Sequence, residues 1–107
     1  MSAVNLRAMQ YARTVCMEAP DMRMAPRALL LLLSTYADQA GVCWPSVGTL
    51  ANVLGLTPAN VRRARRDLVG RGLIALDARP GHSSIVRFPV VAHTLRAVPR
   101  DADEAAG

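Results

Sequence analysis

Four arginines fall within five residues, Arg62, Arg63, Arg65 and Arg66, inside the stretch Thr57-Pro-Ala-Asn-Val-Arg-Arg-Ala-Arg-Arg-Asp-Leu68. A guanidinium is a planar fork of N–H donors that matches phosphate oxygens and the O6/N7 edge of guanine. Which of these two jobs each arginine can do depends on the face of the helix it occupies. With successive side chains about 100° apart, Val61, Ala64 and Leu68 form one apolar stripe with Arg65 at its edge. Ala59, Arg63, Arg66 and Gly70 lie opposite, and Arg62 lies on the flank. Asn60, Arg62, Arg63 and Arg66 are therefore the candidates for contact with base edges, Arg62 being also placed for phosphate. Arg65 is a phosphate candidate. The small Ala59 and Gly70 leave room for close approach.

Such a helix needs elements that aim it. Thr57 is an N-cap type and Pro58 fits the first helical position, where a missing N–H costs nothing, so the helix is expected over 58–71. Ser46 caps a preceding helix that runs through Leu54 and is stopped by Gly55. About three residues separate the two helices, which is the spacing of a helix-turn-helix. Ser46, Thr49 and Thr57 combine capping with candidate phosphate contacts, because helix N-termini present free N–H groups. Leu73 to Ala78 reads as a strand, Arg79-Pro-Gly-His82 as a turn and Ser84 to Phe88 as a second strand. In that hairpin Arg79, His82 and Arg87 are candidate contacts to a neighbouring groove or backbone.

Upstream, residues 3 to 18 carry Val4, Ala8, Tyr11, Ala12, Val15 and Cys16 at helical spacing, ended by Pro20-Asp21. A further helix is expected from near Pro26 to about Ala40, before Gly41. Its inward stripe is read as Leu29, Leu32, Leu33 and Tyr36. That leaves Leu31 pointing away, to be covered by the N-terminal helix or by a second subunit. Val42-Cys-Trp44 is a short apolar segment, and Trp44 is expected in the core rather than as a stacking platform. Beyond Phe88, Val91, Leu95 and Val98 have helical spacing between Pro89 and Pro99, and the acidic end reads as a disordered tail.

The chain has 107 residues and a formal charge of +5, and its 13 basic residues are all arginine. Three of the eight acids, Asp101, Asp103 and Glu104, lie in the last seven residues, so the remainder is markedly basic and favours a polyanionic partner. Cys16 and Cys43 belong to no metal-ligand or redox motif and are read as buried or idle thiols in a cytoplasmic protein. The longest apolar run, Ala28 to Leu33, is far short of the ~20 residues of a membrane span. There is no phosphate-cradling glycine loop, paired-carboxylate arrangement or nucleophile motif, so an enzyme, a cofactor and a small-molecule ligand are not expected.

The order helix, short strand, helix, turn, helix, strand, strand resembles a winged helix-turn-helix. The residues that carry the likeness are Val42-Cys-Trp-Pro-Ser46, Thr49-Leu-Ala51, Leu54-Gly-Leu56, Val61, Arg63-Ala64, Leu68 and Gly72-Leu-Ile74. They are similar to the winged helix domains of bacterial, phage and plasmid DNA-binding proteins, replication proteins among them, and more distantly to GntR-type regulators. The chain departs from that pattern at Pro58, Ala59 and Asn60, where the family is commonly basic or hydroxylated, and at Arg65, where it is usually apolar. The resemblance implies a mainly α fold with a small β-hairpin, a winged helix-turn-helix with an extra N-terminal helix. Residues 1–23 would pack or dimerise, 24–88 would form the winged domain, and 89–107 an extension. The implied function is sequence-specific binding of double-stranded DNA by a small transcriptional regulator, alone, as a homodimer or as a cooperative oligomer. The alternatives are a plasmid or phage replication or maintenance protein binding repeated sites, and a protein-interaction adapter.

Overall fold

A computed structural model of the chain describes residues 5–89. Four helices and three strands follow in the order α1 (Leu6–Glu18), α2 (Met24–Tyr36), β1 (Val42–Cys43), α3 (Val47–Leu54), α4 (Pro58–Gly70), β2 (Ala75–Arg79) and β3 (His82–Arg87). The sequence-expected helix around Val91, Leu95 and Val98 and the acidic tail lie outside the described residues.

The buried Asn5 caps α1: its Oδ1 accepts the Ala8 N–H at 3.0 Å, and its Nδ2 donates to the Asp38 carbonyl at 2.6 Å. Both functions of a buried amide are thereby satisfied, and the start of α1 is tied to the end of α2. At the other end of α1 the Arg27 guanidinium donates to the carbonyls of Cys16, Ala19 and Met22. Carbonyls left without helical partners are what a helix C-terminus offers, and a cation placed there answers both the hydrogen bonds and the dipole. The inward face of α1 is small, with Ala8 and Ala12 fully buried, which lets α1 lie close against α2. Tyr11 reaches further, donating its hydroxyl to the Leu73 carbonyl at 2.8 Å and meeting the Phe88 ring edge to face at 6.1 Å.

Helix α2 differs from its sequence reading in extent and in face. It starts at Met24 and stops at Tyr36 rather than near Ala40. The early stop has a local cause: the Asp38 carboxylate accepts the N–H groups of Ala40 and Val42, and Gly41 takes φ 76°, turning the chain into β1. The buried stripe is Leu29, Leu30 and Leu33, while Leu32 is half-buried and Tyr36 is 40% exposed. Because α1 and α4 both pack on α2, the buried arc turns toward Leu30, which the expected inward stripe does not include. Leu31 remains 40% exposed, on the rim of a groove shared with Leu6 and Met9 of α1.

The sheet is antiparallel in the order β1-β3-β2. Its hairpin is tighter than expected. The loop is only Pro80-Gly81, with Gly81 at φ 75°, and Arg79 pairs with His82 instead of sharing a four-residue turn. Strand β2 starts at Ala75 rather than Leu73, because the Leu73 N–H closes the end of α4 by bonding the Leu68 carbonyl, with Gly72 left-handed at φ 75°. One core joins all parts: α1 gives Ala8 and Ala12, α2 its leucines, α3 Leu50 and Ala51, α4 Val61, Ala64 and Leu68, and the sheet Cys43, Val86 and the adjoining Phe88.

Candidate nucleic-acid interface

Helix α4 is built as its sequence requires. The Thr57 side chain accepts the Asn60 N–H, Pro58 opens the helix, and α3 ends at Gly55 in a left-handed conformation (φ 69°). Only Gly55, Leu56 and Thr57 separate the two helices. Val61, Ala64 and Leu68 are buried, so the outward face is fixed by the core: Ala59, Arg62, Arg63, Arg66 and Gly70 are all exposed.

The four arginines are not equivalent. The Arg63 Nη1 donates to the Asn60 Oδ1 at 2.8 Å, which restrains the guanidinium along the helix. Arg62 and Arg66 make no hydrogen bond or ion pair among the described residues. Arg65 is half-buried at the edge of the apolar stripe, and burial, then the charges of Arg62 and Arg66, lower its pKa. It stays a cation at neutral pH, since guanidinium does not deprotonate in proteins. Three exposed like charges and one half-buried one on a single helix repel each other, and a polyanion relieves that repulsion.

Residues 22–74 match the family described as helix-turn-helix domain. They belong to it. Helix α3 is then the first helix of the motif and α4 the second, the one that enters the major groove in this class of domain. The hairpin and β1 supply the small sheet of a winged form. The chain is also 33% identical over 61 residues to Protein YmfN of Escherichia coli (strain K12), a match covering 57% of this chain and 13% of that protein. It thus spans a minor part of that relative's length. No solved structure matches.

At the start of α3, Ser46 and Thr49 are exposed and engage one another: Ser46 Oγ accepts the Thr49 N–H at 3.1 Å and donates to Thr49 Oγ1 at 2.9 Å. Thr57 is exposed at the start of α4. The wing candidates fall into two groups. His82 is exposed beside the Pro80-Gly81 tip. Arg87 sits at the opposite end of β3, where it faces Ala75 and Val42, and its Nε is 2.6 Å from the Asp77 carboxylate. Arg79 turns back on its own hairpin, donating from Nε to the Ser83 carbonyl at 2.9 Å.

Two features escaped the sequence reading. A cleft joins Asn60, Arg63 and Asp67 of α4 to Arg23 and Pro26 at the start of α2, with Arg71 bridging Asp67 at 3.3 Å and Asp21 at 3.5 Å. Arg71 lies beyond Asp67, Leu68, Val69 and Gly70 and outside the arginine run, and nothing local marks Arg23, forty residues before Arg63. The second feature is a correction: Trp44, expected in the core, is 54% exposed. Its neighbour Cys43 takes the buried position on β1, and strand alternation sends the next side chain to the other face. The Cys43 thiol is pushed up to about 12 by burial and, secondarily, by the Asp38 charge. No group of three or more metal-ligating side chains occurs among the described residues, and no described helix is long and apolar enough to cross a membrane.

Proposed function

We propose that the protein binds double-stranded DNA in a sequence-dependent way, with α4 in the major groove and the β2–β3 hairpin alongside as a wing, and that it acts as a small transcriptional regulator. The observation that carries this reading is the outward arginine face of α4, held in place by Val61, Ala64 and Leu68 in the core. Arg66 lies nearest the centre of that face, with Arg62 and Arg63 on either side. Arg63 and Arg66 read base edges in this proposal, Arg62 reaches bases or the adjoining phosphate, and Arg65 meets phosphate from the flank. Asn60 acts mainly by orienting Arg63. Ser46, Thr49 and Thr57 contribute backbone contacts, and His82 at the wing tip is better placed than Arg79 or Arg87.

A single winged helix covers only ~600–1,000 Å² of protein surface on DNA, so useful selectivity is expected to require two copies or repeated sites. The α1–α2 groove with Leu6 and Leu31 is the surface such a second copy would use.

Salt dependence of binding to a mixed-sequence duplex tests the proposal. Several phosphate contacts give log affinity falling steeply with log salt, at a slope of about −0.9 per contact. Negligible duplex binding at low salt, or an affinity indifferent to salt, would sink it in favour of a protein-interaction adapter.

A further inference from the structure

Trp44 is the single tryptophan of the chain, and the fold leaves it more than half exposed. A large aromatic side chain left in water is a cost that an unliganded core position would avoid, and here it has company. Tyr36, 40% exposed at the end of α2, lines the same hollow, together with Val42, Pro45 and Thr49. The indole N–H and the Tyr36 hydroxyl have no hydrogen-bond partner among the described residues. The one acid in the hollow, Asp38, has its carboxylate occupied by the N–H groups of Ala40 and Val42.

We propose that Trp44 and Tyr36 form an aromatic platform that packs against the sugar–phosphate backbone of bound duplex at the edge of the footprint. This rests on the DNA-binding reading above. Two observations select this occupant. The hollow is continuous with Thr49, and Trp44-Pro45 leads directly into α3, the first helix of the motif, which in helix-turn-helix domains crosses the DNA backbone. Its chemistry is also that of a backbone contact, apolar faces for deoxyribose with N–H and O–H tips for phosphate oxygens. A second exposed apolar surface, around Leu6, Met9 and Leu31, presents aliphatic side chains instead and suits a protein partner. Trp44 thereby extends the interface from α4 across α3, giving affinity without reading bases.

The lone tryptophan makes the test direct. Full-length protein is titrated into a fluorescein-labelled duplex of mixed sequence at low salt, following duplex anisotropy and Trp44 emission with acrylamide quenching in one experiment. The expected result is saturating anisotropy, with Trp44 shielded from acrylamide in step with binding. Trp44→Ala should weaken binding about tenfold, the size of an aromatic anchor's truncation. Trp44→Phe should retain most of the affinity. Saturated binding with Trp44 as accessible as in the free protein overturns the platform while leaving the α4 reading standing. Shielding that depends on protein concentration and not on duplex assigns the hollow to a second copy and also overturns it. No binding at all removes both readings. The quenching readout comes from the wild-type chain, so it stands even where Trp44→Ala fails to fold.

Discussion

Helix α4 and the hairpin both place arginines at the surface of the same small domain, yet the two sets are in opposite states. On α4, Arg62 and Arg66 have no internal partner among the described residues, and Arg63 is steadied by a neutral amide. In the hairpin, Arg87 is held by the Asp77 carboxylate and Arg79 by the Ser83 carbonyl. Sequence position alone does not separate these cases. What separates them is the neighbour that the fold supplies: strand pairing brings an acid diagonally across from Arg87, whereas the nearest acid on α4, Asp67, is taken up by Arg71. Charge on the helix run is therefore unpaired among the described residues, whereas in the hairpin Arg87 is paired with Asp77 and Arg79, though its charge is not neutralised, is turned back on its own strand.

The largest expected effect comes from removing the available charges. Replacing both Arg63 and Arg66 by alanine should abolish site preference and weaken binding to a selected duplex by at least a hundredfold, since one bidentate arginine–guanine pair is worth about 1–3 kcal/mol. Circular dichroism should be unaltered and the melting temperature should not fall, because both side chains are exposed and their loss relieves repulsion along the helix. Thr57→Ala acts a step back, on the helix itself. Loss of the cap to the Asn60 N–H is expected to cost about 1 kcal/mol of stability in denaturant titration. Asp77→Ala frees Arg87 and should change stability by less than about 1 kcal/mol, the pair being half-exposed. Duplex affinity should not fall. A loss comparable to that of the α4 variant would mean that the hairpin pair, and not the free helix charges, organises binding.

The smallest effect near neutrality is set by pH, and it reports on the sheet side of the domain. Cys43 on β1 has its thiol pushed from 9.0 to about 12 in the folded chain. Folding therefore holds this proton more tightly than the unfolded chain does, and the associated stability is complete below pH 9 and declines as pH rises from there toward 12. Urea titrations should show no contribution from this thiol between pH 6 and 8, and Cys43→Ala should flatten the decline above about pH 9.

Much of this arrangement was legible in the sequence wherever the cause is local. Thr57-Pro58, Ser46 and Gly55 mark helix ends by their own chemistry, and the 3.6-residue period alone puts Val61, Ala64 and Leu68 inward and Arg63 and Arg66 outward. What was not legible depends on neighbours distant in the chain. Leu30 is buried in place of Leu32 because α2 is packed on by α1, α4 and α3 rather than by a single neighbour. Arg87 is occupied because the strand register sets it near Asp77. Trp44 is exposed because Cys43 takes the inward position on β1, a parity that no count of hydrophobic residues supplies. The Pro80-Gly81 loop is two residues long because strand pairing extends to Arg79 and His82, whereas the Pro-Gly signal marks a turn without fixing how far the strands pair.

The central claim is that the exposed arginines of α4 read DNA. Duplexes selected by the wild-type protein, re-measured base by base with Arg66→Ala, test it most directly. The expected result is a loss of discrimination confined to one or two adjacent base pairs, with weaker binding overall. An unchanged base preference in that variant, at unchanged affinity, would contradict it.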